Sequence, residues 1–201
     1  ERLMASPAKK LATYADLEAV PSHLVAEIIY GSLETHPRPV PRHAAAHFQL
    51  GGELSGPFQK GRGGPGGWIF MTEPELHLGA DVVVPDLAAW RRERMRTEPK
   101  AAFVEIAPDW LCEILSPATA KLDRGPKRDI YAAAGVAHLW LLDPQERVLE
   151  AFQLTAGRWL LAGVATGSDE VKLPPFEAIA FSLDILFPFD PPKSADLNPQ
   201  G

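Results

Sequence analysis

The sequence predicts an α/β fold in which a strand–helix–strand crossover forms the centre and antiparallel hairpins surround it. Three observations carry this reading. Residues 108–144 run apolar strand, helix, apolar strand. Residues 23–34 and 68–90 each hold two extended runs around a short turn, and from residue 148 further extended runs alternate with Gly-containing turns.

Taken in order, residues 13–20 (TYADLEAV) form a short helix with Thr13 as N-cap, Asp16 in its first turn and Pro21 beyond its end. In residues 23–34 (HLVAEIIYGSLE) two extended pieces flank Gly31-Ser32, a dipeptide suited to a two-residue hairpin turn. Glu27 interrupts the apolar side of the first piece. Prolines 37, 39 and 41 enforce an extended connector, followed by a helix over 42–54 that Gly51 and Gly52 weaken and that ends before Pro57. The stretch 60–67 (KGRGGPGG) reads as a long connector in preference to a mobile flap. A second hairpin turns at Gly79-Ala80. Its returning strand contains VVVPDL, and Pro85 cannot donate to a ladder, so the strand is interrupted, bulged or at an edge where Asp86 sits. RRERMRTEPK (91–100) is a charged loop or short helix.

The central unit follows. Residues 110–115 (WLCEIL) are stopped by Ser116-Pro117, and 138–142 (HLWLL) by Asp143-Pro144. The helix between them has Pro126 at its first turn and Gly135 as its C-terminal stop. A connection of this length makes the two strands parallel neighbours joined by a right-handed crossover. Residues 148–154, 159–164 and 171–173 are expected as antiparallel strands with turns at Ala156-Gly157 and Gly167-Ser168.

With 201 residues the chain suits one domain over 13–188, with 1–12 a tail or expression remnant and 189–201 a disordered, Pro-rich end. The single Cys112 has no internal disulfide partner and no apolar run reaches ~20 residues, so a cytoplasmic setting away from the membrane is expected. A formal net charge of −6 argues against a dedicated nucleic-acid coat protein but not against a nuclease, whose acids are neutralised by metal.

Three acids stand inside apolar strand sequence: Glu27, Asp86 and Glu113. Buried alone, each would cost several kcal/mol, on the order of the penalty for an unpaired charge, so each needs a cation, a metal or a backbone donor to cap. Asp86 and Glu113 beside one crossover suit magnesium, which takes one or two carboxylates and completes its octahedron with water and phosphate. The crossover helix places Lys127 and Tyr131 on one face, with Lys127 able to reach Glu113. His43 and His47 share a helix face, but the Glu that follows the first His in a zinc protease is missing and no third ligand is evident. Cys112 points to the opposite side of the strand from Glu113.

These residues resemble a known family. Pro85-Asp86, then Glu113 in EILSP, then DRGPKRDIYAAAGVAHLWLLDP, are similar to the Uma-type endonucleases of the PD-(D/E)XK restriction-endonuclease-like superfamily. The likeness spans about residues 13–188, and AEIIYGSLE matches that family's early hairpin. It implies a mixed sheet flanked by helices, a restriction-endonuclease-like core with an N-terminal hairpin and a C-terminal antiparallel extension. It further implies that Asp86 and Glu113 bind a divalent metal. The superfamily's lysine belongs two residues after the strand acid, where this chain has Leu115; the resemblance assigns its role to Lys127, in the next helix.

The resulting expectation is a magnesium- or manganese-dependent DNA endonuclease acting as a homodimer. Asp86, Glu113 and the Ile114 carbonyl hold the metal, Lys127 orients the attacking water, Glu27 completes the site and Tyr131 positions Lys127 or a phosphate oxygen. Arg91, Arg92, Arg94 and Arg96, with Arg124 and Arg128, are the expected nucleic-acid contacts. Two alternatives stay open: a non-catalytic binding or assembly module on the same fold, and a hydrolase of another phosphodiester.

Overall fold

The computed structural model describes residues 10–190. Helix α1 (Tyr14–Glu18) is closed by a capping box between Thr13 and Asp16, as its sequence predicts. Strands β1 (Leu24–Ile29) and β2 (Ser32–Pro37) form the first hairpin. Its turn lies at Tyr30-Gly31, one residue earlier than expected. Both residues have positive φ, 50° and 74°, the pair a type I′ turn demands, and the amide of Tyr30 is held by Asp81 Oδ1 at 2.6 Å. Helix α2 (Pro41–Leu54) ends before Pro57, as expected. The chain continues through a π-helical turn, Ser55–Gln59, in which Lys60 N bonds to Ser55 O; the wider spacing passes around the amide that Pro57 lacks.

The 60–67 stretch is a connector whose backbone is pinned by bonds from Arg62 N to Gly56 O and from Gly66 N to Pro57 O. The second hairpin is split in two. Strands β3 (Trp68–Thr72) and β6 (Leu87–Arg91) pair in one sheet, while β4 (Leu76–Leu78) and β5 (Asp81–Val83) pair in another. The divide falls at Pro74 on one arm and Pro85 on the other, where the ladder loses a donor.

Strand β7 (Trp110–Ile114), short helix α3 (Ala120–Arg124), helix α4 (Pro126–Ala133) and strand β8 (His138–Asp143) form the central crossover. β7 and β8 are parallel, with Glu113 opposite Leu141. Strands β9 (Val148–Thr155) and β10 (Arg158–Thr166) add an antiparallel extension. The run at 171 does not extend it: β11 (Glu170–Val171) pairs with β12 (Phe181–Ser182), and a 3₁₀ turn, Leu183–Leu186, follows. The fold is mixed α/β. Among the described residues the larger sheets run β10-β9-β8-β7-β6-β3 and β2-β1-β5-β4.

Alternation along β7 sorts the core. Trp110, Cys112 and Ile114 face Ala46, Leu50, Leu54 and Phe58 of the α2 side, while Leu111 and Leu115 face Ile130 and Tyr131 of α4. Glu113 therefore opens toward α4. Just outside residues 13–188, Ala12 N bonds to Gly31 O, and Asp190 pairs with Arg42 at 2.8 Å. Residues 1–9 and 191–201 of the expected tails lie outside the described residues. No described helix is long and apolar enough to cross a membrane.

Candidate active site

The break at Pro85 leaves backbone donors that side chains must meet. Val84 N donates to Oε1 of Glu27 at 2.7 Å, and Ile114 N, where β7 ends, donates to Oδ2 of Asp86 at 2.6 Å. Each acid thus caps a backbone amide and at the same time is aimed at the end of the central strand. The second Asp86 oxygen lies 3.1 Å from Nε2 of His43, on α2.

Lys127 enters from the first turn of α4. Its ammonium lies 2.8 Å from Oε1 of Glu113, 2.9 Å from Oε1 of Glu27 and 3.2 Å from Oδ1 of Asp123. An ammonium has three N–H donors, so all three are engaged. Tyr131, one helical turn on, donates its hydroxyl to the same Glu113 oxygen, and His36 on β2 places Nε2 3.4 Å from Oε2 of Glu27. The side chains of Glu27, Glu113 and Lys127 are no more than 3% exposed, so this network stands in a low dielectric where an unpaired member would be costly.

Burial and neighbours divide the acids. Burial alone would raise Glu27, but Lys127, His36 and the Val84 amide outweigh it and bring the carboxyl down to about 2. Burial pushes Glu113 well above the carboxylate range against the pull of Lys127, with Asp123, Asp86 and Glu27 adding to the rise. Asp123 is raised by burial as well. Burial opposes the charge on Lys127, yet the facing Glu113 and Glu27, with Tyr131 and Asp123, hold it well above its ordinary value. Lys127 is a fixed cation with Glu27 as its counter-ion. It is not a proton acceptor.

These shifts carry a sign. The Glu27 contribution to stability is fully present above its ordinary value of 4.5 and is lost as pH falls from there toward about 2. Metal-free protein is expected to lose on the order of 3 kcal/mol over that window, read as a falling urea midpoint. A midpoint that is flat below pH 4.5 would mean that Glu27 is not held by Lys127.

Asp86, Glu113, Asp123 and Lys127 line one cavity of about 270 Å³, with His36 and His43 on its wall. Counting Glu27 behind it, four carboxylates face one lysine. That excess of hard oxygen charge fits a divalent cation, and Asp86 and Glu113 supply the one or two carboxylates that magnesium takes. Among the described residues no three His, Cys, Asp or Glu side chains converge as an all-protein metal cage. The zinc alternative loses its ligand: Nε2 of His43 is turned to Asp86, and the His43 and His47 rings meet edge to face with centroids 6.5 Å apart.

Lys121 lies on α3 and is exposed. The expected nucleic-acid arginines are each engaged within the chain. Arg91 stacks on Trp68 at 4.0 Å, Arg92 donates to the Trp68 carbonyl at 3.4 Å, and Arg94 pairs with Asp109 at 2.7 Å. Arg96 donates to the Glu93 carbonyl, Arg124 pairs with Glu150 at 2.7 Å, and Arg128 covers the Phe152 ring at 4.5 Å. Arg91 ends β6 at the far side from Asp86, roughly 16 Å along a strand that rises about 3.3 Å per residue.

Sequence reasoning missed Asp123 and His36. Asp123 stands four residues before Lys127, the spacing of one helical face, but Pro126 between them hid it. His36 occupies the face of β2 that Glu27 occupies on β1, diagonal to it in register, a signal that strand alternation carries.

A family model described as "Putative restriction endonuclease", Uma2, matches residues 11–185. Among solved structures the chain is similar to a protein from Anabaena variabilis described as a putative nuclease belonging to DUF820. The two are 22% identical with a TM-score of 0.70, the match covering 88% of this chain and 98% of that one. No curated protein matches.

Proposed function

The chain belongs to the Uma2 family, and from that premise we propose that it is a metal-dependent endonuclease that hydrolyses DNA phosphodiester bonds, working as a homodimer. The observation that carries the reading is the reach of Lys127 from α4 to Glu113, 2.8 Å, beside Asp86 on one cavity. A lysine moved off the strand still arrives at the strand's acid.

Asp86, Glu113 and the Ile114 carbonyl are the groups that would hold magnesium or manganese, which offsets charge at the phosphate and acidifies the attacking water. The remaining roles belong to the chain. Lys127 stays charged and orients the attacking water or a phosphate oxygen by hydrogen bonding. Because its donors are all engaged, that oxygen must displace one carboxylate, and Asp123, the longest contact at 3.2 Å, gives way first. Tyr131 fixes Oε1 of Glu113, and Glu27 keeps the ammonium charged.

The same saturation of Lys127 supports a second reading, a binding or assembly module that retains the nuclease fold. A cleavage assay on plasmid, single-stranded DNA and RNA separates the two. The nuclease reading expects cutting of DNA with magnesium or manganese and none with chelator. A wild type inert on all three substrates with either metal would favour the module.

A further inference from the structure

Beside the catalytic cavity lies a second and larger groove, about 800 Å³, between α2 and β3. The two adjoin, since Arg38, Pro39 and Glu73 line both. The groove floor is Phe70 and Leu87, and at its mouth stands Phe48, 79% exposed on α2. A large aromatic left in water at the edge of a concave surface has no role in the chain's own packing. Nε2 of His47, also on this wall, is buried without a hydrogen-bond partner among the described residues.

The helix wall adds a further sign. Gly51 and Gly52 lie in the last turn of α2, where the chain runs on into the π-helical turn and a glycine within the helix costs roughly 1 kcal/mol relative to alanine. Neither is needed by the fold. A Cβ at Gly52 would meet nothing within 4 Å, and one at Gly51 would only touch Leu87 at 4.0 Å. Their effect is to keep the groove open.

Charge selects among occupants. Arg38 and Lys60 stand on the rim, with Glu73 4.0 Å from Arg38. Two cations cannot make the broad basic stripe that a duplex backbone requires, and a duplex offers no free base face to Phe48. An unpaired nucleotide offers both parts, a flat apolar base for the aromatics and a phosphate for the rim.

The geometry points to this groove as a binding site for unpaired nucleotides flanking the bond to be cut, so that the substrate class is single-stranded or locally opened nucleic acid. The assignment rests on the nuclease reading for its connection to cleavage. The base stacks on Phe48, and the strand passes Arg38 toward the cavity of Asp86 and Glu113.

The test uses the whole chain in chelator, with a fluorescein-labelled oligothymidylate of about 10 nucleotides, within the site sizes of single-strand binders, and a blunt duplex of equal length. Wild type is expected to bind the single strand more tightly than the duplex. Phe48→Ala should weaken that binding at least about fivefold, the lower end for loss of one stacked base. Gly52→Leu should abolish it while melting no lower than wild type, because the new side chain enters only the groove and glycine is removed from a helix. Equal single-strand binding by all three proteins, or a wild-type preference for duplex, overturns the proposal. Metal-dependent cleavage that both variants retain would overturn the groove and leave the nuclease standing. Binding that depends on Phe48 in a protein that cuts nothing with magnesium or manganese would sink the nuclease and leave the groove.

Discussion

Lys127→Met is expected to lower metal-dependent cleavage by about 10²-fold or more, the range for loss of a group that orients water or stabilises charge. It is also expected to cost about 3–5 kcal/mol of stability, the range for removing one partner of a buried ion pair. Both effects come from one geometry. The ammonium is the shared partner of Glu27, Glu113 and Asp123, all buried, and methionine keeps the aliphatic stem while leaving three carboxylates to face one another. The loss of activity must therefore be measured on folded protein, at a temperature where circular dichroism of the variant matches wild type. Lys127→Met combined with Glu27→Gln should recover part of the stability, since it removes the acid that depends most on the lysine, and should recover no cleavage. Lys121→Met is the control. Lys121 is exposed on α3 and touches none of these acids, so that variant should cut like wild type. Cleavage that survives at 127 and disappears at 121 would show that the wrong lysine carries the chemistry. A stability loss at 127 with no cleavage in any variant would leave the network as a structural device of a binding module.

The sequence was most legible where local rules and the fold agree. The crossover from β7 to β8 could be read because Ser116-Pro117 and Asp143-Pro144 stop its strands and Pro126 opens its main helix. Glu27, Asp86 and Glu113 stood out because acids inside apolar strands are expensive, and two of them do meet a buried lysine. What could not be read was long-range or broken. Nothing local says that the hairpin over 68–90 divides between two sheets, although the prolines at 74 and 85 mark where it tears. Asp123 is not legible because α3 and α4 meet at a kink at Gly125-Pro126, which hides from the sequence that residues 123 and 127 meet. Arg91 stands five residues after Asp86, but β6 carries it to the opposite end of that strand. His43 shares a helix face with His47, the spacing of a zinc pair, whereas the fold gives it Asp86 as partner. In each case the residue type was informative and its partner was set by topology.

Asp86→Asn and Glu113→Gln are each expected to abolish magnesium or manganese binding in a calorimetric titration and to remove cleavage with it. Both carboxylates line the same cavity, and the amides that replace them keep shape and lose charge. The two should differ in metal-free stability. Glu113 is held well above the carboxylate range chiefly by burial, so its charged form opposes folding, and that opposition grows as pH rises from its ordinary value of 4.5 through its value in the fold. Glu113→Gln removes the term and should melt higher than metal-free wild type near neutral pH, with the gap closing toward pH 4.5. Asp86→Asn should melt no higher, because Asp86 accepts the Ile114 amide at 2.6 Å and stands 3.1 Å from His43, contacts that an amide reproduces only in part. Saturating magnesium, at about 100 times the dissociation constant, should stabilise wild type by about 2.7 kcal/mol, roughly 5–10 °C for a chain of this size, and leave both variants unmoved. Equal metal titrations in the three proteins would remove the proposed centre. A magnesium-dependent rise in Tm for Asp86→Asn alone would keep Glu113 as a ligand and return Asp86 to its backbone-capping role.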